Sequence, residues 1–283
     1  MKKRILSLLI IPFLASCTIN PTTSKMYFFD TLVNITLYEK NDKTIDDINK
    51  ILKEIHELTD NYSSTNEISK INKNEGEYDI SQGLFNLLTR VKELESASKG
   101  YFNSLVGSLV KAWKEKLSNK EILSQTAILE ELDKLNNSSY SLKQEGSAYK
   151  LDKVGEAALD FGAVAKGYAL DKIKSYLDST NIHRYIIDGG SSSILLGHRN
   201  KDGGNFKVGL KDTKNAYVEL SDCFIGASGT SEQGVTIDGV TYSHIVNPFT
   251  GSVINNYDLT FVTGNNGALC DVLSTSFMMM ELE

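Results

Sequence analysis

The chain has 283 residues, of which 41% are hydrophobic and 23% are charged, and its formal net charge at pH 7 is −6. These values are typical of a folded globular protein and exclude a long disordered chain. The sequence has no basic stripe interleaved with aromatic residues, and an acidic chain without such a stripe argues against nucleic acid as a partner.

The first residues predict an export signal. Residues 1–4 carry positive side chains, an apolar run covers residues 5–14, and the sequence Leu-Ala-Ser-Cys ends at Cys17. The apolar run is shorter than the roughly 20 residues that a membrane-spanning helix needs. The Leu-Ala-Ser-Cys sequence resembles a bacterial lipobox, in which the cysteine is lipidated and becomes the new N-terminus.

These features divide the chain into three parts. We expect a lipoprotein signal peptide over residues 1–16, a lipidated tether that starts at Cys17 and covers residues 17–26, and one large domain over residues 27–283. The protein is then expected outside the cytoplasm, held at a membrane by its lipid. An ordinary secretory signal, in which Cys17 is incidental, is the alternative.

Apolar spacing predicts the elements of the first half of the domain. Residues 33–37 are apolar at every second position, as in a half-buried strand, and residues 45–58 follow helical spacing. Ser81 is typical of the N-cap of a second helix, which Gly100 stops. The charged stretch 111–137 predicts a peripheral helical insertion without a chemical role.

A segment rich in small residues, ALDFGAVAKGYA at 158–169, follows. It predicts a strand-like stretch joined to a helix that begins near Ala163. Gly162 would let main chain approach a ligand, the helix would offer unpaired N–H groups, and Lys166 would add a positive charge. This pattern is typical of phosphate binding, although a capped helix after a strand would look much the same.

From Arg184 onward the pattern is mostly strand. Residues 185–187 and 194–196 flank an Asp-Gly-Gly-Ser turn, and residues 235–237 and 240–242 flank Asp-Gly, which is a hairpin signal. The sequence therefore predicts an α+β fold in which helices pack on a mixed, largely antiparallel sheet.

The remaining cysteines and the histidines argue against two kinds of site. Cys223 and Cys270 lie in apolar surroundings, so buried thiols are expected rather than a disulfide. None of the histidines has zinc-ligand spacing with a cysteine.

Five motifs carry a resemblance to a known family. They are LDFGAVAKGY at 159–168, IDGG at 187–190, SGT at 228–230, YSHIVNPFTG at 242–251 and CDVLST at 270–275. Their order and spacing resemble the ApbE family, the FAD:protein FMN transferases, which are typically bacterial lipoproteins. The resemblance extends from residue 29 to residue 275 and implies the T-fold-like ApbE architecture in a single large domain.

The resemblance implies a magnesium-dependent enzyme that moves FMN from FAD to a Thr or Ser hydroxyl of an exported protein, with AMP as the second product. Expected acceptors are membrane or extracytoplasmic electron-transfer proteins that carry a flavinylation segment. The implied Mg²⁺ ligands are the Asp271 carboxylate, the Ser274 and Thr275 hydroxyls and the main-chain oxygen of Ala163. Read from the residues alone, Asp271 is more simply the N-cap of a helix.

The resemblance also assigns a base and a flavin pocket. His244, placed in a predicted strand, is the candidate base, because an imidazole near its ordinary pKa of about 6.5 accepts a proton at neutral pH. A structural histidine bonded to a neighbouring strand is the alternative. The other histidines receive no role. The residues implied to bind FAD are Phe29, Tyr62, Tyr101, Phe102, Asn103, Asp160, Lys166 and Ile245.

The sequence departs from the family pattern in places. Ser231 replaces the usual aromatic residue after Ser-Gly-Thr, and Asn247 to Phe249 replace Asp-Pro-Arg/Lys, although Asn247 retains the capacity to cap that loop. The C-terminal end is expected to be shortened, since the family continues through further strands beyond Thr275. An FAD pyrophosphatase that gives FMN and AMP, and a non-catalytic flavin-binding lipoprotein, therefore stay open as alternatives.

Overall fold

The structure is a computed structural model that describes residues 20–39, 42–209, 216–230, 234–254 and 257–281. Its helices are α1 (Asp42–Thr59), α2 (Glu67–Ile71), α3 (Gln82–Ala97), α4 (Gly107–Ser118), α5 (Gln125–Asn136), α6 (Ala165–Ser179) and α7 (Gly267–Phe277). Its strands are β1 (Thr22–Phe28), β2 (Thr31–Leu37), β3 (Gly76–Ile80), β4 (Ser139–Glu145), β5 (Ala148–Val154), β6 (Tyr185–Gly189), β7 (Ser193–Leu196), β8 (Phe206–Gly209), β9 (Tyr217–Leu220), β10 (Cys223–Gly229), β11 (Val235–Ile237), β12 (Val240–Tyr242) and β13 (Leu259–Gly264).

A six-stranded sheet in the order β1-β2-β6-β7-β10-β13 forms the centre of the fold, and all its neighbouring pairs are antiparallel. Ile35 of β2 stands opposite Ile187 of β6, which in turn stands opposite Leu195 of β7. All three side chains are buried, so the alternating apolar pattern of the sequence faces the core. The predicted α+β fold with a largely antiparallel sheet is confirmed.

Helix α6 packs against both α1 and α7, and all three helices contact this sheet. Their apolar stripes are buried, as Leu52 of α1 and Ile173 of α6 show. Each fully buried side chain of this kind stabilises the fold by roughly 1.5–3 kcal/mol. A smaller antiparallel sheet in the order β3-β5-β4 packs against α3.

Helix α3 begins and ends as predicted. The Ser81 hydroxyl accepts a hydrogen bond from the Leu84 N–H at 3.2 Å. The helix ends at Ala97, and Gly100, with φ of +82°, returns its N–H to the Glu95 carbonyl at 3.0 Å. A glycine tolerates this left-handed conformation at no steric cost.

Helices α4 and α5 confirm the predicted helical insertion. They enclose a second apolar cluster that includes Trp113 and Ile128, and the β11–β12 hairpin contributes Val235 to it. The Trp113 indole N–H donates to the Gly251 carbonyl at 2.7 Å. This bond ties α4 to the loop that follows His244, so the insertion lies beside a predicted site residue.

Cys223 and Cys270 are both free thiols, as the sequence predicted. Cys270 is buried, and burial raises its pKa to about 12. Cys223 is only half-buried, so the expectation of two buried thiols is wrong for this residue.

The predicted signal peptide and Cys17 lie outside the described residues, so both stay predictions. Within the ranges that the structure describes, no helix combines the length and the apolar character that crossing a membrane requires.

Candidate active site

A cavity of about 800 Å³ opens where the β1–β2 turn, the β6–β7 turn and the end of β10 meet at one end of the sheet. This volume lies within the range of small-molecule and cofactor sites. All the residues that the sequence predicted for FAD, metal and proton transfer line it: Phe29, Tyr62, Tyr101, Phe102, Asn103, Asp160, Ala163, Lys166, His244, Ile245, Asp271, Ser274 and Thr275.

The segment that leads to Asp160 was predicted to be strand-like, and this is wrong. The Asn72 side chain accepts from the Leu159 N–H at 2.7 Å and donates to the Leu159 carbonyl at 2.9 Å. The Asp160 N–H donates to the Ser104 carbonyl at 2.7 Å. The Ser104 N–H and hydroxyl in turn donate to Glu95 at 2.8 and 2.6 Å. Side chains and a loop therefore satisfy backbone groups that a neighbouring strand would otherwise satisfy.

The Asp160 carboxylate is held at the cavity wall. One of its oxygens accepts from the Gly162 N–H at 2.8 Å, and the other accepts from the Asn61 amide at 2.8 Å. These bonds fix the carboxylate in one orientation before any ligand is bound.

The back wall of the cavity is the crossing of α6 and α7, and glycine makes the crossing possible. A Cβ atom on Gly167 would lie 2.3 Å from the Gly267 carbonyl oxygen, and a Cβ on Gly267 would lie 2.6 Å from the Gly167 carbonyl oxygen. The Asp171 carboxylate of α6 also accepts from the Gly267 and Ala268 N–H groups at 2.6 and 3.0 Å. The two backbones are thus held in direct contact.

This crossing places Asp271 inside the protein. The alternative that Asp271 caps its helix is wrong, because the N-cap is Asn266, whose side chain accepts from the Leu269 N–H at 2.9 Å. Asp271 lies in the helix interior, where one carboxylate oxygen accepts from the Gly167 N–H and the Ser193 hydroxyl, both at 2.7 Å.

The Asp271 carboxylate is electrostatically unusual. Only 7% of the residue is exposed, and burial raises its pKa to about 7, although the Lys166 charge and the two hydrogen bonds favour the ionised form. No Lys, Arg or His of the described ranges forms a salt bridge with it. Burying a carboxylate without a paired cation costs free energy, and a bound cation would offset that cost. Asp271 is therefore a candidate cation ligand.

Hydroxyl oxygens cluster beside α7, the helix that carries this carboxylate. The Ser228 hydroxyl lies 2.9 Å from the Ser274 hydroxyl and 3.1 Å from the Thr275 hydroxyl. Ser274 and Thr275 follow Asp271 by three and four residues on one helix, which places them on the same face. Within the described part of the chain, no three His, Cys, Asp or Glu residues lie close enough to hold a metal together. Apart from the Asp271 carboxylate, a metal here would be bound by neutral oxygen atoms. Such a set of oxygen ligands suits Mg²⁺ rather than zinc.

His244 is not in a strand, contrary to the prediction. It follows β12, and the neighbouring Ser243 hydroxyl accepts from the Ile245 N–H at 3.2 Å and donates to the Ile254 carbonyl at 2.6 Å. The Nδ1 atom of His244 is buried and has no hydrogen-bond partner in the described residues. The alternative of a histidine bonded to a neighbouring strand therefore does not fit.

Burial is the main reason that the pKa of His244 is lowered to about 4, and the charges of Lys114 and Lys166 lower it further. The imidazole is neutral at pH 7 and carries a free lone pair. It is therefore able to accept a proton inside the cavity.

Lys114 contradicts the expectation that residues 111–137 lie away from the chemistry. It lines the cavity from α4, and its ammonium group contacts the Tyr62 hydroxyl and lies 5.0 Å from the centre of the Tyr62 ring. Lys114 and Lys166 supply the positive charge among the described lining residues.

Aromatic side chains form part of the cavity rim. Phe29 and Asp30 occupy the two-residue β1–β2 turn with φ of +53° and +57°, a conformation uncommon for residues other than glycine. The Phe29 ring meets His56 edge-on at 5.5 Å. The Tyr101 ring meets Phe249 edge-on at 5.1 Å, and Tyr62 is 63% exposed.

The loop after His244 keeps the cap that the sequence left open. Asn247 accepts from the Phe249 and Thr250 N–H groups at 2.8 and 3.3 Å, so it orients the loop without a carboxylate. Ser231, the other departure, lies outside the described residues.

The loop before α6 also differs from the prediction. The helix begins at Ala165, and the Gly162 and Gly167 N–H groups already bond Asp160 and Asp271. The anion at this helix terminus is thus Asp271 itself, which the helix dipole stabilises. Lys166, rather than these backbone N–H groups, is therefore the group of this segment that is suited to an anion such as phosphate.

The cavity also contains residues that the sequence analysis did not single out. Ser193 and Ser228 bond the predicted metal ligands, and Asn61 bonds Asp160. Two of them could have been found from their neighbours in the sequence, because Ser228 belongs to the Ser-Gly-Thr motif and Asn61 precedes Tyr62. Nothing in the sequence around Lys114 indicated the site.

Comparisons with known proteins agree with this architecture. A sequence model of the ApbE family matches residues 29–283. The chain is 24% identical over 250 residues to an FAD:protein FMN transferase of Vibrio cholerae, which covers 83% of this chain and 72% of that protein. It is 26% identical over 223 residues to an FAD:protein FMN transferase of Treponema pallidum, which covers 72% of this chain and 61% of that protein.

Solved structures share the fold. The flavin transferase ApbE of Vibrio cholerae gives a TM-score of 0.75 at 24% identity and covers 92% of this chain and 86% of that one. The ApbE protein of Thermotoga maritima gives a TM-score of 0.81 at 19% identity and covers 92% and 87%.

Proposed function

The chain belongs to the ApbE family, and from this premise we propose that it transfers FMN from FAD to a Thr or Ser hydroxyl of an acceptor protein, with release of AMP. The names of its relatives support the reaction class. The observation that carries the proposal is that His244, Lys166 and the buried Asp271 line one cavity of about 800 Å³.

The reaction exchanges one bond to phosphorus for another. The acceptor hydroxyl oxygen forms a bond to the FMN phosphorus, and the bond between that phosphorus and the bridging oxygen breaks. The bridging oxygen leaves with AMP, and the hydroxyl proton passes to His244. Negative charge develops on phosphoryl oxygens, so positive groups placed beforehand contribute most to the rate.

His244 is suited to receive that proton once FAD is bound. The charges of Lys114 and Lys166 help to keep its pKa near 4 in the empty cavity. A bound diphosphate offsets those charges, and this raises the pKa of the imidazole toward the range of an effective base.

The other predicted residues bind and orient FAD in this proposal. Lys166 contacts phosphate, and Asp160, already fixed by Asn61 and Gly162, accepts hydrogen bonds from the ribose or adenine side. Tyr62 and Phe29 offer aromatic faces for the flavin or the adenine.

The residues present fit a magnesium ion. Asp271 is buried, burial raises its pKa, and it shares one face of α7 with Ser274 and Thr275, which line the same cavity. These groups, with the Ala163 carbonyl, would hold the ion. Bound Mg²⁺ neutralises charge on the phosphoryl oxygens. Asp271 itself is oriented by Gly167 and Ser193, whether or not the ion is bound.

A transfer assay tests the proposal. The protein is incubated with FAD and Mg²⁺, with and without an unflavinylated acceptor protein, and both AMP and covalent flavin fluorescence on the acceptor are followed. Asp271→Asn keeps the shape of the side chain, and we expect it to lower the rate at least about 100-fold. Asp79→Asn, at an exposed position, is the matched control and should retain the wild-type rate.

Three other results would overturn the proposal. AMP with free FMN regardless of acceptor identifies a pyrophosphatase, and tightly bound but intact FAD identifies a flavin carrier. Equal labelling of an acceptor whose threonine has been replaced by valine removes the hydroxyl from the mechanism.

We also propose that the protein is anchored outside the cytoplasm by lipid on Cys17. The basic, apolar and Leu-Ala-Ser-Cys segments of residues 1–17 support this proposal. Labelling of cells with a fatty-acid probe should mark the wild type and not Cys17→Ser. Equal labelling of both would contradict it.

A further inference from the structure

A second, smaller pocket of about 160 Å³ adjoins the large cavity at His244. The two spaces share Val110, Lys114 and His244. Most of the wall of this side pocket is apolar and comes from Val110, Trp113 and Leu117 of α4 and Val235 of β11. The polar lining residues are Ser118, with Lys114 and His244 at the shared boundary.

The side pocket is built into the fold. Trp113 and Leu117 are buried in the second apolar cluster, which Val235 also joins. The Trp113 indole N–H holds the Gly251 carbonyl at 2.7 Å. These contacts fix α4 against the hairpin and against the loop that carries His244, so the pocket exists without a ligand.

Transfer of FMN to a protein needs two substrates at His244 at the same time. The large cavity holds Lys166, Asp160 and Asp271, the groups that suit a nucleotide diphosphate and a cation. The side pocket reaches the same imidazole and is lined mainly by apolar side chains. It therefore suits a different chemical group from the one in the large cavity.

The volume of the side pocket limits which chemical group can occupy it. A dry apolar cavity of about 150 Å³ holds a benzene-sized group. The side pocket, at about 160 Å³, suits one apolar side chain such as leucine or phenylalanine, whereas an uncharged polar side chain of leucine's size, such as asparagine, would lose hydration against Val235 and Leu117.

Resting on the proposed transferase reaction, we propose that the side pocket binds the acceptor protein by taking an apolar side chain that neighbours the acceptor hydroxyl in sequence. The neighbour anchors the segment, and the hydroxyl then lies at His244. The pocket, rather than the FAD cavity, thus selects which protein is flavinylated.

Filling the pocket tests this proposal. Val235→Phe adds bulk from β11, and Val240→Phe makes the same change in the same hairpin at a position that is 48% exposed and outside the pocket. Binding is measured by fluorescence anisotropy on the FAD-loaded protein. The probes are ten-residue peptides with one threonine, whose neighbouring residue is Leu, Trp or Asn.

We expect the Leu peptide to bind wild type and Val240→Phe equally, and Val235→Phe at least tenfold more weakly. The Asn peptide should bind all proteins at least tenfold more weakly than the Leu peptide binds wild type. Val235→Ala, which enlarges the pocket, should bind the Trp peptide better than wild type does. This gain cannot arise from misfolding, so it guards against a Val235→Phe variant that is merely unstable.

Equal binding by Val235→Phe and Val240→Phe, equal binding of the Leu and Asn peptides, or no peptide binding would overturn the proposal. Titration of FAD into each variant keeps the two ideas apart. Loss of peptide binding with normal FAD binding and AMP release would leave the transferase standing. Pocket-dependent peptide binding without AMP release would remove the transferase and leave a peptide site.

Discussion

The back and the front of the cavity are built in different ways. At the back, α6 and α7 touch through the backbones of Gly167 and Gly267, and the polar contacts of Asp271 are buried. At the front, Lys114 and the 63% exposed Tyr62 meet through their side chains. Because the backbones touch at Gly167 and Gly267, no larger residue fits at either position. At the front, by contrast, a single side chain can be replaced without moving the backbone.

This difference separates two tasks. The back places the carboxylate and the hydroxyls that suit phosphate chemistry, and it depends on the whole fold. The front, with the side pocket, borders the space that the proposed reaction assigns to the substrates. We expect substitutions at the back to damage stability and activity together, and substitutions at the front to alter binding while the fold persists.

The largest effect is expected from Gly167→Ala. Its Cβ would lie 2.3 Å from the Gly267 carbonyl oxygen, so the helices must separate. We expect a loss of about 3 kcal/mol or more in the free energy of unfolding, together with loss of activity. Urea denaturation measures it. Gly209→Ala is the control, since no atom lies within 4 Å of its added Cβ; equal stability of the two variants would refute the close crossing.

The next effect comes from the charge of Asp271. Burial raises its pKa from 3.8 to about 7, so between these values the folded protein binds more protons than the unfolded one. Its contribution to stability is therefore complete below pH 3.8 and is lost as the pH rises through 7. Asp271→Asn removes this dependence.

Denaturation of both proteins in the presence of a chelator measures the difference. The stability of Asp271→Asn relative to wild type should rise by roughly 1.4 kcal/mol per pH unit between about pH 4 and 7. Added Mg²⁺ should then stabilise wild type selectively at pH 8. Parallel pH curves for the two proteins would show that Asp271 is not desolvated.

Glu95→Gln tests the support of the front loop and should have a smaller effect. Glu95 accepts from the Ser104 N–H and hydroxyl, and Ser104 receives the Asp160 N–H. Loss of the charge should cost about 1.5 kcal/mol and weaken FAD binding several-fold. The exposed Glu130→Gln is the control, and calorimetric titration with FAD gives the affinity. Unchanged FAD affinity in Glu95→Gln would separate this network from the site.

The smallest effect is expected from Lys114→Met. Burial is the larger cause of the low pKa of His244, and the Lys114 charge lowers it further. Removal of this charge should therefore raise the pKa of His244 only slightly above about 4, while the protein stays folded. NMR titration of the imidazole measures the shift. Lys111→Met, on the exposed side of the same helix, should leave the pKa unchanged, and so should Lys114→Met if the two groups do not interact.

Much of the fold was predictable because its signals are local. The alternation at Val33–Leu37 and the Ser81 cap each depend on neighbours in sequence, and both appear as expected. The segment before Asp160 was misjudged because Asn72, far away in the chain, supplies its hydrogen bonds. Nothing within the segment itself reports such a partner.

The candidate site shows the same division. The family motifs pointed to His244, Asp160 and Asp271, and the structure places all three in one cavity. Their proposed roles await the experiments above. Lys114 escaped notice because it stands in a charged stretch, where one lysine resembles the next. Its place in the site depends on the bond between Trp113 and Gly251, which no spacing in the sequence encodes.

The contact between α6 and α7 has a consequence for the order of folding. Asp171 bonds the Gly267 N–H across 96 residues, and Asp271 bonds the Gly167 N–H across 104 residues. Contacts that close such long loops form late, because the entropy of the intervening chain must be lost first. The site around Asp271 is thus among the last parts of the described fold to assemble, and during synthesis the proposed activity must wait until α7 has joined α6.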